Sequence, residues 1–374
     1  MSSTDVFAVV TGGGTSGHVV PAIAILELLQ DAGHVPQSLR YVGSRRGIEK
    51  TLMKDLIFDC EYLPISGLQR SASLKSVLRN ALLPQAMVRS YVQAYRLIRR
   101  WKPAVVVSVG GYASSPMAFA ARLSGVALVC VSYDRTPGLA TRRQAKHATS
   151  VAAAFDGSPL PGAVVTGAPV RREIRELDVA TRRVNARLAL GVPQDRIMFT
   201  VVGGSLGSAV LNDNIDRILQ SLGEQQANST ALYHVCGRRH VDGPAPQPPS
   251  GVWYSRVAYE TRMTDLLAAT DVMICRAGAS TVAEIAAVGV ATIFVPWKNA
   301  AEDHQQLNAG WLREHGAALV VKESDLATGA LTDAIFSLLK NPLERQNLAM
   351  AARNCGELHR GTTLRDVIED ASRR

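Results

Sequence analysis

The chain reads as an α/β protein made of two Rossmann-like, doubly wound domains facing across a cleft. Three observations predict this. Short apolar strands alternate with helical stretches, a strand–glycine turn–helix unit opens each half, and 374 residues suit two domains of roughly 150 residues each. In the first half, Val6–Thr11 is expected as a buried strand, Gly12–Gly17 as a turn, and Pro21–Gln30 as a helix with proline in its first turn. Further strands are expected at Leu39–Val42, Ala104–Val109, Ala127–Ser132 and Ala163–Thr166. Gly167–Arg172, which contains Pro169, is the natural hinge. The pattern then restarts with strand Ile197–Val202, turn Gly203–Gly207 and helix Ala209–Leu222, followed by strands Ala231–Cys236, Val272–Cys275 and Ala291–Val295. Val241–Ser250 carries four prolines and reads as a surface loop. The expected domains are 1–166 and 167–349, with a terminal helix of about 350–374 packing back on the first.

Composition narrows the function classes. Hydrophobic residues at 47% and charged residues at 20% exclude general disorder. No run approaches the roughly 20 apolar residues of a membrane-spanning helix. Met1–Thr11 has no basic region or cleavage site, so no secretory leader is expected. Five scattered cysteines without C-x-x-C spacing fit a reducing cytoplasm. A net charge of +9 points to an anionic partner: a nucleotide, a nucleic acid or a lipid surface.

The first glycine turn, Gly12 to Gly17, contains G-x-G-x-x-G between a strand and a helix. There, backbone amides can approach an anion at a helix N-terminus. A nicotinamide cofactor would also need an acidic residue at the end of the second strand. That strand ends Val42-Gly43-Ser44-Arg45-Arg46, without a carboxylate, which argues against hydride chemistry. His18 follows the turn, where an imidazole can accept a proton near neutral pH or simply cap the loop. The second turn, Gly203 to Ser208, either approaches a ligand or is a tight strand–helix connection. After the strand ending at Cys275, small residues run to Glu284, whose carboxylate suits a ribose diol or helix capping. Arg171 and Arg172 at the hinge suit a diphosphate clamp or a solvated charge. No D-x-D, H-E-x-x-H or cysteine cluster appears, so neither a bound metal nor another cofactor is implied.

Together these landmarks resemble the MurG family of peptidoglycan glycosyltransferases. They are GGGTSGHVVPA at 12–22, GGYASSP at 110–116, VTGAPVR at 165–171, VVGGSLGS at 201–208, CRAGASTVAEIAAVG at 275–289 and DHQQLNA at 303–309. The resemblance implies a GT-B fold and inverting, metal-independent transfer of N-acetylglucosamine from UDP-N-acetylglucosamine to lipid I, giving lipid II. It implies that Thr15, Ser16 and Gly17 form the acceptor-side loop and that His18 is the general base. Arg171 and Ser205 match donor-diphosphate contacts. Ala279, Ser280, Thr281, Val282, Ala283 and Glu284 match the nucleotide-holding helix start, with Glu284 on the ribose, and Gln305 matches a sugar contact. The family's H-E-Q-N is replaced here by Val131-Ser132-Tyr133-Asp134, so Asp134 stands where a donor-sugar asparagine is usual. Leu206 stands where glutamine is common. Another GT-B transferase acting on a glycolipid or secondary metabolite, a UDP-sugar 2-epimerase and a silent nucleotide-sugar sensor are the competing readings.

A lipid-linked acceptor also implies a membrane surface as partner, and no nucleic acid. Between Glu61 and Asp134 there is no acidic residue but nine basic ones: Arg70, Lys75, Arg79, Arg89, Arg96, Arg99, Arg100, Lys102 and Arg122. Leu74, Val77, Leu78, Ala81 and Leu82 follow helical spacing beside Lys75 and Arg79. An apolar stripe flanked by cations suits peripheral binding to the anionic inner leaflet, on the cytoplasmic side of the cell membrane. A core-facing helix is the alternative.

Overall fold

The computed structural model describes residues 5–46, 48–67, 83–204 and 207–374. The stripe from Leu74 to Leu82, with Arg70, Lys75 and Arg79, lies outside the described residues, as do Ser205 and Leu206. The chain divides into two compact units, Met1–Arg172 with Gly361–Arg374, and Glu173–Arg360.

In the first unit the order is β1 (Ala8–Thr11), α1 (Ser16–Asp31), β2 (Leu39–Ser44), α2 (Glu49–Leu52), β3 (Asp59–Leu63), α3 (Leu83–Trp101), β4 (Val105–Ser108), α4 (Ser115–Leu123), β5 (Ala127–Ser132), α5 (Leu139–Ala145), β6 (Ser150–Ala153) and β7 (Ala163–Val165). The strands form one parallel sheet in the order β3-β2-β1-β4-β5-β6-β7. A short helix α6 (Arg172–Arg175) follows at the division. The second unit runs α7 (Val179–Leu190), β8 (Ile197–Val202), α8 (Ala209–Gln220), α9 (Glu224–Ser229), β9 (Thr230–Val235), β10 (Trp253–Val257), α10 (Met263–Ala269), β11 (Val272–Cys275), α11 (Ala279–Val288), β12 (Ala291–Phe294), α12 (His304–Glu314), β13 (Leu319–Val320), α13 (Ala330–Lys340), α14 (Pro342–Cys355) and α15 (Glu357–Arg360). Its sheet is also parallel, ordered β10-β9-β8-β11-β12-β13. The last helix, α16 (Thr363–Ser372), packs in the first unit near β4, β5 and β6, whereas α14 packs on α11 in the second.

Both sheets are doubly wound, as the alternation of strands and helices predicts. Their central strands are buried throughout and mostly apolar because helices cover both faces: all four residues of β1, β4, β11 and β12 are buried. Val9, Val42, Val106 and Leu128 meet Ala94, Leu97, Ile98 and Met117 in the first core. Phe199, Val201, Ile274 and Ile293 meet Ile215, Leu219, Ile335 and Leu338 in the second.

Several elements differ in their bounds from the local expectation, most by one or two residues. The first helix starts at Ser16, not Pro21, so Pro21 lies inside it. Proline has no N–H for the carbonyl four residues back, but that residue, Gly17, is exposed to solvent. Strands β3, β6, β10 and β13 went unread because they are short or only partly buried, so their apolar signal is diluted. Strand β9 begins at Thr230 and ends at Val235, one residue earlier at each end than expected.

Candidate active site

Each sheet has a point where the strand order reverses: between β1 and β4 in the first, and between β8 and β11 in the second. In open α/β sheets a ligand crevice lies beyond the carboxyl ends of the strands at such a point. The motifs singled out in the sequence fall there. Gly12–His18 follows β1, Gly110–Tyr112 follows β4, Gly203–Ser208 follows β8, and Arg276–Glu284 follows β11.

In the first unit, Gly13 and Gly14 have φ of 149° and 93°. A β-carbon on Gly14 would lie 2.5 Å from the Tyr112 ring, so the turn needs glycine for both its backbone and its neighbours. Thr15 is the N-cap of α1 and makes no side-chain capping bond, which leaves the helix start open. Thr15 and Gly17 are exposed, and Ser16 and His18 are half-buried. His18 Nδ1 hydrogen-bonds the Tyr133 hydroxyl, and the two rings meet edge-on with centroids 5.9 Å apart. Burial pushes the His18 pKa below 6.5; the carboxylate of Asp134, a backbone hydrogen bond to Val109 and the carboxylate of Glu49 oppose the shift. Asp134 therefore bears on His18 within the first unit.

Glu49 is the residue the sequence reading missed. It stands three positions past Arg46, beyond the end of β2. Fully buried in α2, Glu49 turns back under the glycine turn, and its Oε1 accepts from the amides of Gly14 (2.8 Å) and Ser44 (3.1 Å). The Gly14 amide is thus already engaged, so this turn is not a bare anion cradle. Tyr41 donates to the Gly12 carbonyl at 2.7 Å and holds the other end of the turn. Tyr133 and Gly111 were likewise not singled out, although GGYASSP contains the latter. Arg171 lies away from this cluster. Its Nε donates to Glu27 on α1 at 2.8 Å, nine residues past His18, which is about 13 Å along the helix axis.

In the second unit, α11 begins after the N-cap Gly278, which has no side chain to cap with. Ala279, Val282 and Ala283 are buried, while Ser280, Thr281 and Glu284 are half-buried. The Ser280 hydroxyl oxygen is buried without a hydrogen-bond partner among the described residues. Burial, followed by the negative charge of Glu284, pushes the Cys275 thiol well up, which places Glu284 beside the end of β11. Gln305 on α12 accepts with Oε1 from the amides of Ala277 (3.3 Å) and Trp297 (3.0 Å), and so ties together two loops at the strand ends. Arg276 completes the frame. It donates to the Val295 carbonyl (2.9 Å) and the Ser208 hydroxyl (2.7 Å), and it pairs with Glu323 at 2.6 Å. Ser208 in turn caps α8. Two helix starts, α8 and α11, are thereby fixed at one switch point, an arrangement suited to an anionic ligand.

The model of the glycosyltransferase family 28 N-terminal domain matches residues 8–153, and that of the family 28 C-terminal domain matches residues 198–368. The chain is 36% identical over 345 residues to the UDP-N-acetylglucosamine–N-acetylmuramyl-(pentapeptide) pyrophosphoryl-undecaprenol N-acetylglucosamine transferase of Cupriavidus metallidurans, covering 92% of both chains. It is 36% identical over 359 residues to the protein of that name from Burkholderia pseudomallei, covering 95% of this chain and 92% of the other. Among solved structures it is similar to Acinetobacter baumannii MurG, with a TM-score of 0.72 and 25% identity over 99% of this chain and 100% of the other. It also shares its fold with the UDP-GlcNAc 2-epimerase of Neisseria meningitidis, with a TM-score of 0.63 at 12% identity, covering 97% and 99%.

Proposed function

The chain belongs to glycosyltransferase family 28 and, within it, to the MurG family, and from that premise we propose what it does and how. It transfers N-acetylglucosamine with inversion from UDP-N-acetylglucosamine to undecaprenyl-diphospho-N-acetylmuramoyl-pentapeptide, converting lipid I to lipid II in peptidoglycan synthesis. The observation that carries this reading is 36% identity over 92% of both chains to a transferase of that name.

The residues can be given roles on that basis. The acceptor hydroxyl attacks the anomeric carbon of the sugar; a carbon–oxygen bond forms, the bond to the diphosphate breaks and UDP leaves. His18 takes the hydroxyl proton, a role typically worth roughly 10²–10⁴ in rate. Thr15, Ser16 and Gly17 line the acceptor side. In the second unit, the starts of α8 and α11 stabilise charge gathering on the diphosphate. Glu284 accepts from the ribose, Ala279 to Ala283 let the nucleotide approach the backbone, and Gln305 shapes the sugar side by tying the loops of Ala277 and Trp297. The family resemblance adds Arg171, which Glu27 orients, and Ser205 as diphosphate contacts. The resemblance also puts Asp134 at the donor sugar, and its charge acts on His18.

No helix among the described residues is long and apolar enough to cross a membrane. A peripheral attachment has support on α3 and α4. Met87, Val88, Val92 and Tyr95 are exposed on one face of α3, with Phe119 and Leu123 exposed on the adjoining α4. Arg89, Arg96, Arg99 and Arg122 on the same two helices are also exposed. Exposed apolar residues with arginines on the same helices suit the cytoplasmic leaflet in which the acceptor is anchored.

Incubation with UDP-N-acetylglucosamine, with and without a lipid I analogue, tests the activity. A disaccharide lipid formed only with acceptor is expected. A new sugar formed without acceptor would mean an epimerase, and no product in either arm a sensor.

A further inference from the structure

Tyr133 occupies the position just past β5 where the MurG family carries glutamine, and its hydroxyl meets Nδ1 of His18. Tyr133 is only 5% exposed, so its ring is held by the core and cannot swing aside. The opposite edge of the imidazole lies over Gly111, whose φ is 74°. A β-carbon at Gly111 would stand 2.8 Å from His18 Cδ2 and 3.0 Å from Nε2, so glycine there leaves room for the Nε2 edge. The two sides of the ring therefore differ: a buried phenol takes Nδ1, and a bare glycine borders Nε2.

We propose that Tyr133 is a positioning residue that accepts the Nδ1–H of His18 and so keeps the lone pair on Nε2, the nitrogen that takes the acceptor proton. A neutral imidazole carries one N–H and one lone pair, and the hydrogen bond on one nitrogen decides which is which. Burial, and then the charge of Asp134, hold the Tyr133 phenol well above its ordinary value, so it stays a neutral partner across the working pH range. The groups facing His18 are Tyr133 and Asp134 from the end of β5, Glu49 from α2 and the backbone of Val109 beyond β4. This inference rests on His18 being the general base.

Tyr133→Phe keeps the ring and removes only the hydroxyl. Turnover should fall about tenfold or more, a fraction of what a general base contributes, with KM for UDP-N-acetylglucosamine unchanged within about twofold. In the wild-type protein labelled with ¹⁵N-histidine, the His18 signal, identified by its loss in His18→Gln, should report Nδ1–H. In Tyr133→Phe it should report a mixture. Wild-type His18 as the Nε2–H tautomer would overturn the proposal, and that measurement needs no variant to fold apart from the one used for identification. Unchanged turnover and tautomer in Tyr133→Phe would also overturn it. If His18→Gln keeps turnover within about threefold, the general-base reading fails instead, and the wild-type tautomer still decides whether Tyr133 orients the ring.

Discussion

The carboxylate of Glu49 accepts the amide of Gly14 at 2.8 Å, joining a buried side chain on α2 to the turn that leads into His18. The same oxygen accepts from Ser44 at 3.1 Å. Glu49→Ala would strand two amide donors, at about 1–3 kcal/mol for each buried group left unmade. Glu49→Gln keeps an oxygen acceptor in place. We expect Glu49→Ala to lower the urea midpoint clearly and to reduce turnover, and Glu49→Gln to stay near wild type in stability. Equal midpoints for Glu49→Ala and wild type would show that the turn holds itself.

His18 must be neutral to accept a proton, so the acid limb of the kcat/KM profile reports its pKa. Burial lowers that value and Asp134 raises it. The limb should therefore lie below pH 6.5, and Asp134→Asn, which removes a raising charge, should move it further to the acid side. A limb that stays in place or moves toward neutrality in Asp134→Asn would refute the coupling.

Two buried histidines make the second unit acid-sensitive. His234 is 1% exposed between Tyr254 and Asn212, both at 2.9 Å, and His359 is 3% exposed against Trp311. Burial, and then Arg256 for His234 and Arg360 for His359, brings each pKa down to about 4. The unfolded chain, with histidines near 6.5, binds these protons first. Their contribution is complete above about pH 6.5 and is lost as pH falls toward 4, by up to roughly 3 kcal/mol per histidine. Glu260, held near 2 by hydrogen bonds from Arg262 and Tyr233 that outweigh its burial, loses its contribution only at more acid pH. Urea midpoints at pH 7.5 and 5 should differ, and His234→Gln should shrink the difference. A pH-independent midpoint would contradict this account.

Arg276 and Glu323 are both largely buried, with side chains 12% and 5% exposed. Arg276→Ala removes the ties to Ser208 and Val295 and leaves the Glu323 charge alone, which typically costs about 3–5 kcal/mol. It should lower the melting temperature and weaken UDP binding measured by calorimetry. Replacing both residues, Arg276→Met with Glu323→Leu, should recover stability. A double variant no more stable than Arg276→Ala would show that the pair is not coupled.

Membrane attachment is tested at the exposed face of α3. Val88 is 63% and Val92 43% exposed, so Val88→Glu with Val92→Glu should leave folding intact. It should also reduce co-sedimentation with anionic vesicles. Each basic residue near such a surface contributes about 1 kcal/mol, so binding should weaken with salt. Equal binding by wild type and variant would place the contact elsewhere.

Read alone, the sequence determined what local periodicity and glycine chemistry can carry. Two α/β halves, the turns at Gly12–Gly17 and Gly203–Gly207, and the small-residue start of the helix at Ala279 were legible there, because a buried parallel strand is apolar along its whole length and a tight turn beside a helix start requires glycine. Motif order carried the family. Tertiary structure decided which side chains meet. Tyr133 reaches His18 across 115 residues, Glu49 reaches Gly14 across 35, and Gln305 reaches Ala277 across 28. Asp134, read from its motif as a sugar ligand, also acts by its charge on His18, which the motif does not reveal. Such partnerships leave no periodic trace, since a single polar residue beyond a strand looks the same whether it faces solvent, a ligand or another loop. Only the order of strands in the sheet brings those loops to the same edge.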